Sequence, residues 1–212
     1  MTIDLRRLLA SLLLAITTTG CSGRPARVEP PDIDAASAGT AAVAAYDADG
    51  DGAIAGSELE RAAPLKSSLD TVDTNKDGKV TAEEITQRIE VWQTSRVGVL
   101  PLVSHVTLDG HPLDEATVTL VPAPFLGSNL KPATGVTDAI GMTSLTIDEE
   151  FRVAPDVTGV QCGWYQVRIS KQQDGQEMLA SRYNSETTLG CEVAPDRSIV
   201  IKGLRMALTS RR

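Results

Sequence analysis

The spacing of apolar residues divides the chain into a helical region and a strand region. Ile85, Ile89 and Trp92 recur at i, i+4 and i+7 and therefore share one helical face. After Trp92 the apolar pattern changes to a period of two, which is typical of strands with one buried face. The sequence therefore predicts an α+β chain, with a small helical domain at residues 39–95 and an all-β domain at residues 96–212.

The helical region is expected to consist of short helices. A first helix is predicted at Ala41–Tyr46, and Leu59 lies on the next. Pro64 should end that second helix and begin another, because proline fits the first helical turn. The link from Leu59 to Val72 is short, so both middle helices must be short as well.

The second region contains alternating segments separated by turns, and Asp109-Gly110 is one such turn. Short strands at this spacing are typical of a β-sandwich, and roughly 110 residues suffice for one. The predicted strands are Val103–Leu108, Thr117–Val121, Thr134–Thr137, Met142–Ile147, Tyr165–Ser170, Thr187–Val193 and Ser198–Ile201.

Two twelve-residue segments, 47–58 and 73–84, share one acidic pattern. Both have oxygen-bearing side chains at the first, third and fifth positions, glycine at the sixth and glutamate at the twelfth. This is the ligand pattern of an EF-hand calcium loop, in which the seventh residue binds through its carbonyl. The ligand positions are Asp47, Asp49, Asp51, Ala53 and Glu58 in the first segment, and Asp73, Asn75, Asp77, Lys79 and Glu84 in the second.

These ligand sets predict two Ca²⁺ sites. All ligands are hard oxygens in flexible loops, which favours Ca²⁺ over Mg²⁺, and neither segment contains the Cys or His typical of zinc sites. A water is expected at the ninth position of the first loop, because Ala55 has no side-chain oxygen. The ammonium of Lys79 is expected to point to solvent, and Ile54 and Val80 to form a short two-strand bridge. The alternative is a pair of acidic surface turns that bind no ion.

The N-terminus has the features of an export signal. Arg6 and Arg7 precede an apolar run from Leu8 to Ile16, which is too short for a stable membrane span. Residues 1–20 are therefore predicted to be a signal peptide. The Gly20-Cys21 pair resembles a bacterial lipobox, which implies a lipid on Cys21 and attachment to the cell envelope, at the outer membrane or in the periplasm. Ordinary signal-peptide cleavage is the alternative.

The composition of residues 21–38 and the remaining cysteines extend this picture. Residues 21–38 are rich in Pro, Ala, Gly and Ser and are predicted to form a flexible tether after the lipidated cysteine. If Cys21 carries lipid, Cys162 and Cys191 remain as an even pair in an exported protein. A disulfide between them is therefore predicted, with two buried free thiols as the alternative.

Three segments of the strand region carry a family resemblance: HVTLDGHPLDEATVTLVP, KPATGVTDAIGMTSLTI and GWYQVRIS. Together they resemble the prealbumin-like domains, also called transthyretin-like or carboxypeptidase-regulatory-like domains. The resemblance covers residues 99 to about 170. It implies a seven-stranded sandwich and, in most members, no catalysis.

Composition and motifs favour a protein that is not an enzyme. The formal net charge of −8 argues against nucleic acid as a partner, and no GxSxG, HExxH or P-loop motif occurs. We expect an exported calcium-binding envelope protein whose sandwich serves adhesion or scaffolding, with a protein or polysaccharide partner. One alternative is a dockerin-like adaptor, although dockerin loops usually end in Asp. Another is a carbohydrate-binding module, although aromatic residues make up 3% of the chain. A last alternative is an iron enzyme, for which Tyr165, Tyr183, His105 and His111 supply the residue types but not the motif spacing.

Overall fold

The computed structural model describes residues 28–210. The predicted signal peptide, Cys21 and the first part of the predicted tether lie outside these residues. Within them the structure has six α-helices: α1 Ala35–Tyr46, α2 Ser57–Arg61, α3 Ala63–Lys66, α4 Leu69–Val72, α5 Ala82–Ser95 and α6 Ile199–Lys202. No helix in this range combines the length and the apolar character needed to cross a membrane.

The short middle helices are confirmed. Helices α2, α3 and α4 have five, four and four residues. Pro64 lies in the first turn of α3, as its missing N–H group allows. In α5, the side chains of Ile85, Ile89 and Trp92 are at most 2% exposed, which confirms the predicted buried face.

The chain before α1 packs against the rest of the protein. Helix α1 begins at Ala35, earlier than predicted, because the Asp34 side chain caps it by accepting a hydrogen bond from Ser37 N at 3.0 Å. The Ile33 carbonyl accepts a 2.7 Å hydrogen bond from Gln93 of α5. These contacts fix residues that the sequence had assigned to a flexible tether extending to residue 38.

The strands within the described residues are β1 Ala53–Ala55, β2 Lys79–Thr81, β3 Val99–Leu100, β4 Leu102–Leu108, β5 His111–Pro112, β6 Thr117–Pro122, β7 Ala133–Val136, β8 Met142–Ile147, β9 Val160–Gln161, β10 Gly163–Ser170, β11 Gln172–Gln173, β12 Gln176–Glu177, β13 Gly190–Val193 and β14 Leu204–Leu208. The main sheet has the order β13-β10-β6-β7-β8-β4-β14, with β5 paired to β4. All neighbours are antiparallel except β4 and β14.

Strand β8 makes the sheet curl. Its first part, Met142–Leu145, pairs with β4, whereas Thr146 and Ile147 pair with β7. One strand thus changes partners along its length, and the two parts of the sheet face each other across an apolar core. This arrangement confirms a sandwich-like sheet after the helices.

Six of the seven predicted strand segments overlap strands of this sheet, but the prediction at Ser198–Ile201 is wrong. These residues enter α6, in which the Ser198 carbonyl accepts a 2.8 Å hydrogen bond from Lys202 N. A short apolar run fits a strand or a helical turn equally well, so its composition could not decide. The Ile201 side chain is 87% exposed and packs in no core.

The strand that sequence analysis missed is β14, which follows directly. Gly203 has a φ of +78°, a left-handed conformation that ends α6 and redirects the chain. Leu204, Met206 and Leu208 then alternate with exposed residues and pair in parallel with β4. The period of two in this segment was present in the sequence and would have identified the strand.

The predicted disulfide is wrong: Cys162 and Cys191 are free, buried thiols. Tyr165, not Cys162, stands opposite Cys191 in the β10–β13 ladder. Cys162 lies three residues before Tyr165, in a bend between β9 and β10. The Cys162 Sγ instead donates a hydrogen bond to the Val97 carbonyl at 3.3 Å. Burial raises the pKa of both thiols to about 12, so both are protonated near neutral pH.

The helices and the sheet share one apolar core. The rings of Trp92 on α5 and Trp164 on β10 meet edge to face with centroids 4.4 Å apart, and both side chains are buried. On β13, a Cβ at Gly190 would overlap the backbone of Ala63 and Pro64, so glycine lets α3 approach the strand closely. This interface packs the helices of the predicted helical domain against the sheet of the predicted all-β domain.

We therefore expect Trp92→Ala to lower the free energy of unfolding of the whole protein by about 3–5 kcal/mol, since it removes a large buried side chain from the shared core. The variant keeps Trp164 as its remaining tryptophan. Chemical unfolding should be monitored by far-UV circular dichroism and by Trp164 fluorescence. Both signals should show the same transition, shifted from the wild-type midpoint by the same amount. Val91→Ala on the same helix is the matched control, because Val91 is 52% exposed and should change stability little. A loss of helix at a denaturant concentration that leaves Trp164 fluorescence unchanged would contradict the shared core.

Candidate metal centre

Each acidic segment lies between two helices, as its sequence pattern predicted. In loop 1, defined as residues 47–58, α1 ends immediately before Asp47, and Glu58 falls in the first turn of α2. In loop 2, defined as residues 73–84, α4 ends immediately before Asp73, and Glu84 falls in the first turn of α5. The first and twelfth ligand positions of each loop are therefore fixed to different helices.

The predicted two-strand bridge between the loops is confirmed. Strands β1 and β2 are antiparallel, and Ile54 stands opposite Val80 in their register. Both side chains are fully buried. The seventh residues of the loops, Ala53 and Lys79, are the first residues of β1 and β2. One short ladder therefore holds both loops in a fixed mutual position.

The twelfth-position glutamates make equivalent hydrogen bonds in the two loops. Glu58 is 6% exposed and accepts from Ala48 N at 2.6 Å through Oε1 and from Ala55 N at 3.0 Å through Oε2. Glu84 is 5% exposed and accepts the equivalent bonds from Thr74 N and Thr81 N at 3.1 and 3.0 Å. Each carboxylate therefore crosses the interior of its loop with both oxygens held.

The first-position carboxylates follow the same rule. Asp47 Oδ2 accepts from Gly52 N, and Asp73 Oδ2 accepts from Gly78 N, both at 2.9 Å. The two glycines have φ values of +87° and +81°, which require glycine for the sharp turn at the sixth position. The two loops are therefore near copies in backbone path as well as in sequence.

The third and fifth positions are held by the backbone of the next ligands. In loop 1, Asp49 accepts from Asp51 N at 3.1 Å, and Asp51 accepts from Ala53 N at 3.0 Å. In loop 2, the equivalent bonds to Asn75 and Asp77 measure 2.9 and 2.8 Å. These short-range bonds turn successive side chains toward the interior of the loop.

The oxygens of loop 1 fit a calcium ion. Ligand atoms of Asp47, Asp49 and Glu58 all lie within 4.8 Å of one another. Two oxygens on opposite sides of a Ca²⁺ ion are about 4.6–5.2 Å apart, since each lies 2.3–2.6 Å from it. In the part of the chain that the structure describes, this is the one group of three or more Asp, Glu, His or Cys side chains with such convergence.

Loop 2 differs from loop 1 at the third and ninth positions. Asn75 replaces a carboxylate and donates a 3.1 Å hydrogen bond to Asp77. The Thr81 hydroxyl bonds the Glu84 carboxylate at 3.0 Å and accepts from Glu84 N at 3.3 Å, which forms a capping box at the start of α5. Loop 2 therefore has fewer negative charges than loop 1 and a more firmly fixed twelfth residue.

The expectation that Lys79 points its ammonium to solvent is wrong. Its Nζ lies 2.7 Å from Asp51 Oδ2, a ligand position of the other loop. The hydrogen bond from Lys79 lowers the pKa of Asp51, and the same bond raises the pKa of Lys79. The side chain therefore joins the loops electrostatically while its backbone carbonyl stays at the seventh position of loop 2.

The two tyrosines of the iron-enzyme alternative are engaged in other contacts. The Tyr165 hydroxyl is part of a buried side chain and donates to the Gln161 carbonyl at 2.9 Å, and the Tyr183 hydroxyl bonds Thr209. His105 lies on β4, and His111 is exposed on β5.

Comparison with protein-family models gives a match to part of the chain. A protein-family profile described as "EF hand" matches residues 65–89, which include all of loop 2. Loop 1 lies outside this match. No characterised protein matches the chain. The profile match and the loop geometry together indicate calcium binding.

Lys79→Gln should tighten Ca²⁺ binding in loop 1 by about 1.5- to 5-fold, because an exposed ion pair makes only a small contribution. The substitution removes a cation that competes for Asp51 and keeps the backbone carbonyl in loop 2. Calorimetric titration in a Glu84→Gln background, which weakens loop 2, would isolate loop 1. Lys76→Gln is the matched control, since it removes an equal charge from an exposed position in the same loop. Equal effects of the two substitutions would point to net charge and not to the Asp51 contact.

Proposed function

We propose that this protein is a non-enzymatic calcium-binding protein with two EF-hand sites joined to a sandwich of the prealbumin-like type. The observation that carries the proposal is the near identity of the two loops. In both, the first-position carboxylate accepts a hydrogen bond from the N–H of the sixth residue, and the twelfth-position carboxylate accepts from the N–H groups of the second and ninth residues. The EF-hand profile matches loop 2, and loop 1 has a similar geometry. The match therefore supports a second calcium site in loop 1.

The residues that would hold the ions are the predicted ones. Asp47, Asp49, Asp51 and Glu58 would bind through side chains in loop 1, with the Ala53 carbonyl and a water beside Ala55. Bound calcium supplies positive charge that neutralises the clustered carboxylates and removes their mutual repulsion. In loop 2 the equivalent ligands are Asp73, Asn75, Asp77, Glu84 and the Lys79 carbonyl.

The role we propose for calcium is structural. Helices α4 and α5, which flank loop 2, pack on the sheet through the shared core. An ion that fixes these helices would therefore also stabilise the sheet. Such a protein suits adhesion or scaffolding in the cell envelope, where the sheet would meet a protein or polysaccharide partner.

The two-site proposal predicts two separable binding events with dissociation constants on the order of 10⁻⁶ to 10⁻³ M. Calorimetric titration of the full chain should show both events. Glu58→Gln should remove mainly the loop 1 event and Glu84→Gln mainly the loop 2 event, because each loses a bidentate charged ligand. Glu60→Gln is the matched control, since Glu60 is an exposed carboxylate on α2 outside the ligand set. A titration without heat, together with a melting temperature that calcium leaves unchanged, would refute calcium binding.

The envelope location is a separate proposal that rests on the N-terminal sequence. Cys21→Ser should release the protein from membranes into the soluble fraction, because acyl chains on Cys21 would be its anchor. Cell fractionation and mass spectrometry of the mature N-terminus test this. A soluble wild-type protein with an unmodified residue 21 would show that Gly20-Cys21 is not a lipidation site.

A further inference from the structure

Helix α4, which leads into loop 2, is too short to be stable alone and is stabilised by contacts with the sheet region. Its four residues make a single turn, far shorter than a helix that is stable in isolation. Arg197, which follows β13, binds the Asp70 carboxylate through both oxygens at 2.8 Å. The Ser68 hydroxyl, at the start of α4, accepts a 2.7 Å hydrogen bond from the Trp164 indole on β10.

Helix α5, which leaves loop 2, is held by the same edge of the sheet. Arg88 Nε lies 2.5 Å from Glu192 Oε1 on β13, and its two terminal nitrogens bind the Asp196 carboxylate at 2.8 Å each. The Trp92 indole also donates to Glu192 Oε1, at 2.9 Å. Although burial opposes its charge, these carboxylates raise the pKa of Arg88, so its positive charge is retained.

Glu192 connects the two helices through its two oxygens. Its Oε1 accepts from Arg88 and Trp92 of α5, whereas its Oε2 accepts from the Thr71 hydroxyl of α4 at 2.9 Å. The residue is 1% exposed, so these bonds are made away from water. A carboxylate from a strand distant in sequence therefore bridges the helix that enters loop 2 and the helix that leaves it.

This bridge bears directly on the two ends of the loop. Thr71 lies two residues before Asp73, the first ligand position, and Arg88 lies one helical turn after Glu84, the twelfth. A calcium ion binds both carboxylates at once. Bringing the two carboxylates together costs conformational entropy, and this cost weakens calcium binding unless folding has already brought them together. Fixing both helices to one buried carboxylate removes that freedom before the ion arrives.

We propose that Glu192 is a positioning residue that sets the calcium affinity of loop 2 by holding α4 and α5 at the separation its ligands need. This inference rests on the proposed calcium binding and adds a residue outside the EF-hand segment. The bonds described for Glu192 reach α4, α5 and Arg197, and none of them reaches α1 or α2, which flank loop 1. The effect of Glu192 is therefore specific to loop 2.

The test measures each loop separately in the full chain. Glu192→Gln keeps the shape of the side chain, but an amide accepts hydrogen bonds at one position instead of two. In a Glu58→Gln background, calcium binding is measured mainly in loop 2. There, Glu192→Gln should raise the dissociation constant of loop 2 about 5- to 10-fold, the effect expected for about one lost hydrogen bond. In a Glu84→Gln background, where loop 1 binds, the constant should change less than about twofold.

Two further variants make the outcome decisive. Glu177→Gln is the matched control, because Glu177 is a carboxylate of the sheet region that accepts several hydrogen bonds far from the helices and should leave both constants unchanged. Thr71→Val removes the α4 bond to Glu192, together with the contacts of the same hydroxyl with the Ser68 carbonyl and Arg197, and should weaken loop 2 by about 2- to 5-fold. Thr71→Val also tests the positioning role if the Glu192→Gln variant does not fold.

The possible failures are distinguishable. A folded Glu192→Gln or Thr71→Val protein with the wild-type constant in loop 2 would overturn the positioning role and leave calcium binding intact. An equal loss in both loops would also overturn it, since general destabilisation acts on both. No binding in either single-loop background, before Glu192 is changed, would instead refute the proposed function itself.

Discussion

The buried carboxylate of Glu192 is the constraint around which the helices and the sheet are arranged. Removing a charge from water carries a penalty of several kcal/mol unless the group is paired and hydrogen bonded. Here the side chain has no exposed area, and Arg88, Trp92 and Thr71 supply its partners. These three donors come from helices, whereas the carboxylate and a further contact, Arg197 Nε at 3.4 Å, come from the sheet region, so the sheet region cannot satisfy the group alone. The penalty of leaving it unpaired therefore favours one mutual arrangement of the two parts.

The lengths of the helices explain why this arrangement is needed. Helices α2, α3 and α4 have four or five residues each, too few for stability without tertiary contacts. Helix α3 meets β13 where Gly190 leaves room for its backbone, and α4 is fixed by Ser68, Asp70 and Thr71. The sheet thus substitutes for the longer helices that would otherwise orient the two acidic loops.

Sequence analysis succeeded where the determining chemistry is local. The Ile54–Val80 bridge and the buried face of α5 each follow from residues a few positions apart, and the alternating strands follow from their period. It failed where partners are distant in the chain. Trp92 and Trp164 each look like core residues of their own region, and nothing local shows that their rings meet. The same is true of Glu192, an acidic residue within a predicted strand, whose partners lie about 100 positions away.

Two other errors have specific physical causes. The disulfide was inferred from the number of cysteines, but pairing depends on strand register, which places Tyr165 opposite Cys191. Lys79 was expected to turn to solvent because its backbone occupies the ligand position. The acidic cluster of loop 1 lies beside it across the β1–β2 ladder, and a flexible ammonium group binds the nearest carboxylate, Asp51.

Loop 2 is connected both to loop 1 and to the sheet, and the two connections differ in kind. Toward loop 1 it is joined by the β1–β2 ladder and by an exposed pair, Lys79–Asp51, which water and salt screen. Toward the sheet it is joined by α4 and α5 through Glu192, where burial prevents such screening. An ion that orders loop 2 also stabilises the packing of the flanking helices on the sheet. By thermodynamic linkage, that packing strengthens ion binding by the same free energy. The ion pairs that join loop 2 to the sheet are therefore protected from salt, whereas the ion pair that joins loop 2 to loop 1 is salt-sensitive and leaves the β1–β2 ladder as their lasting connection.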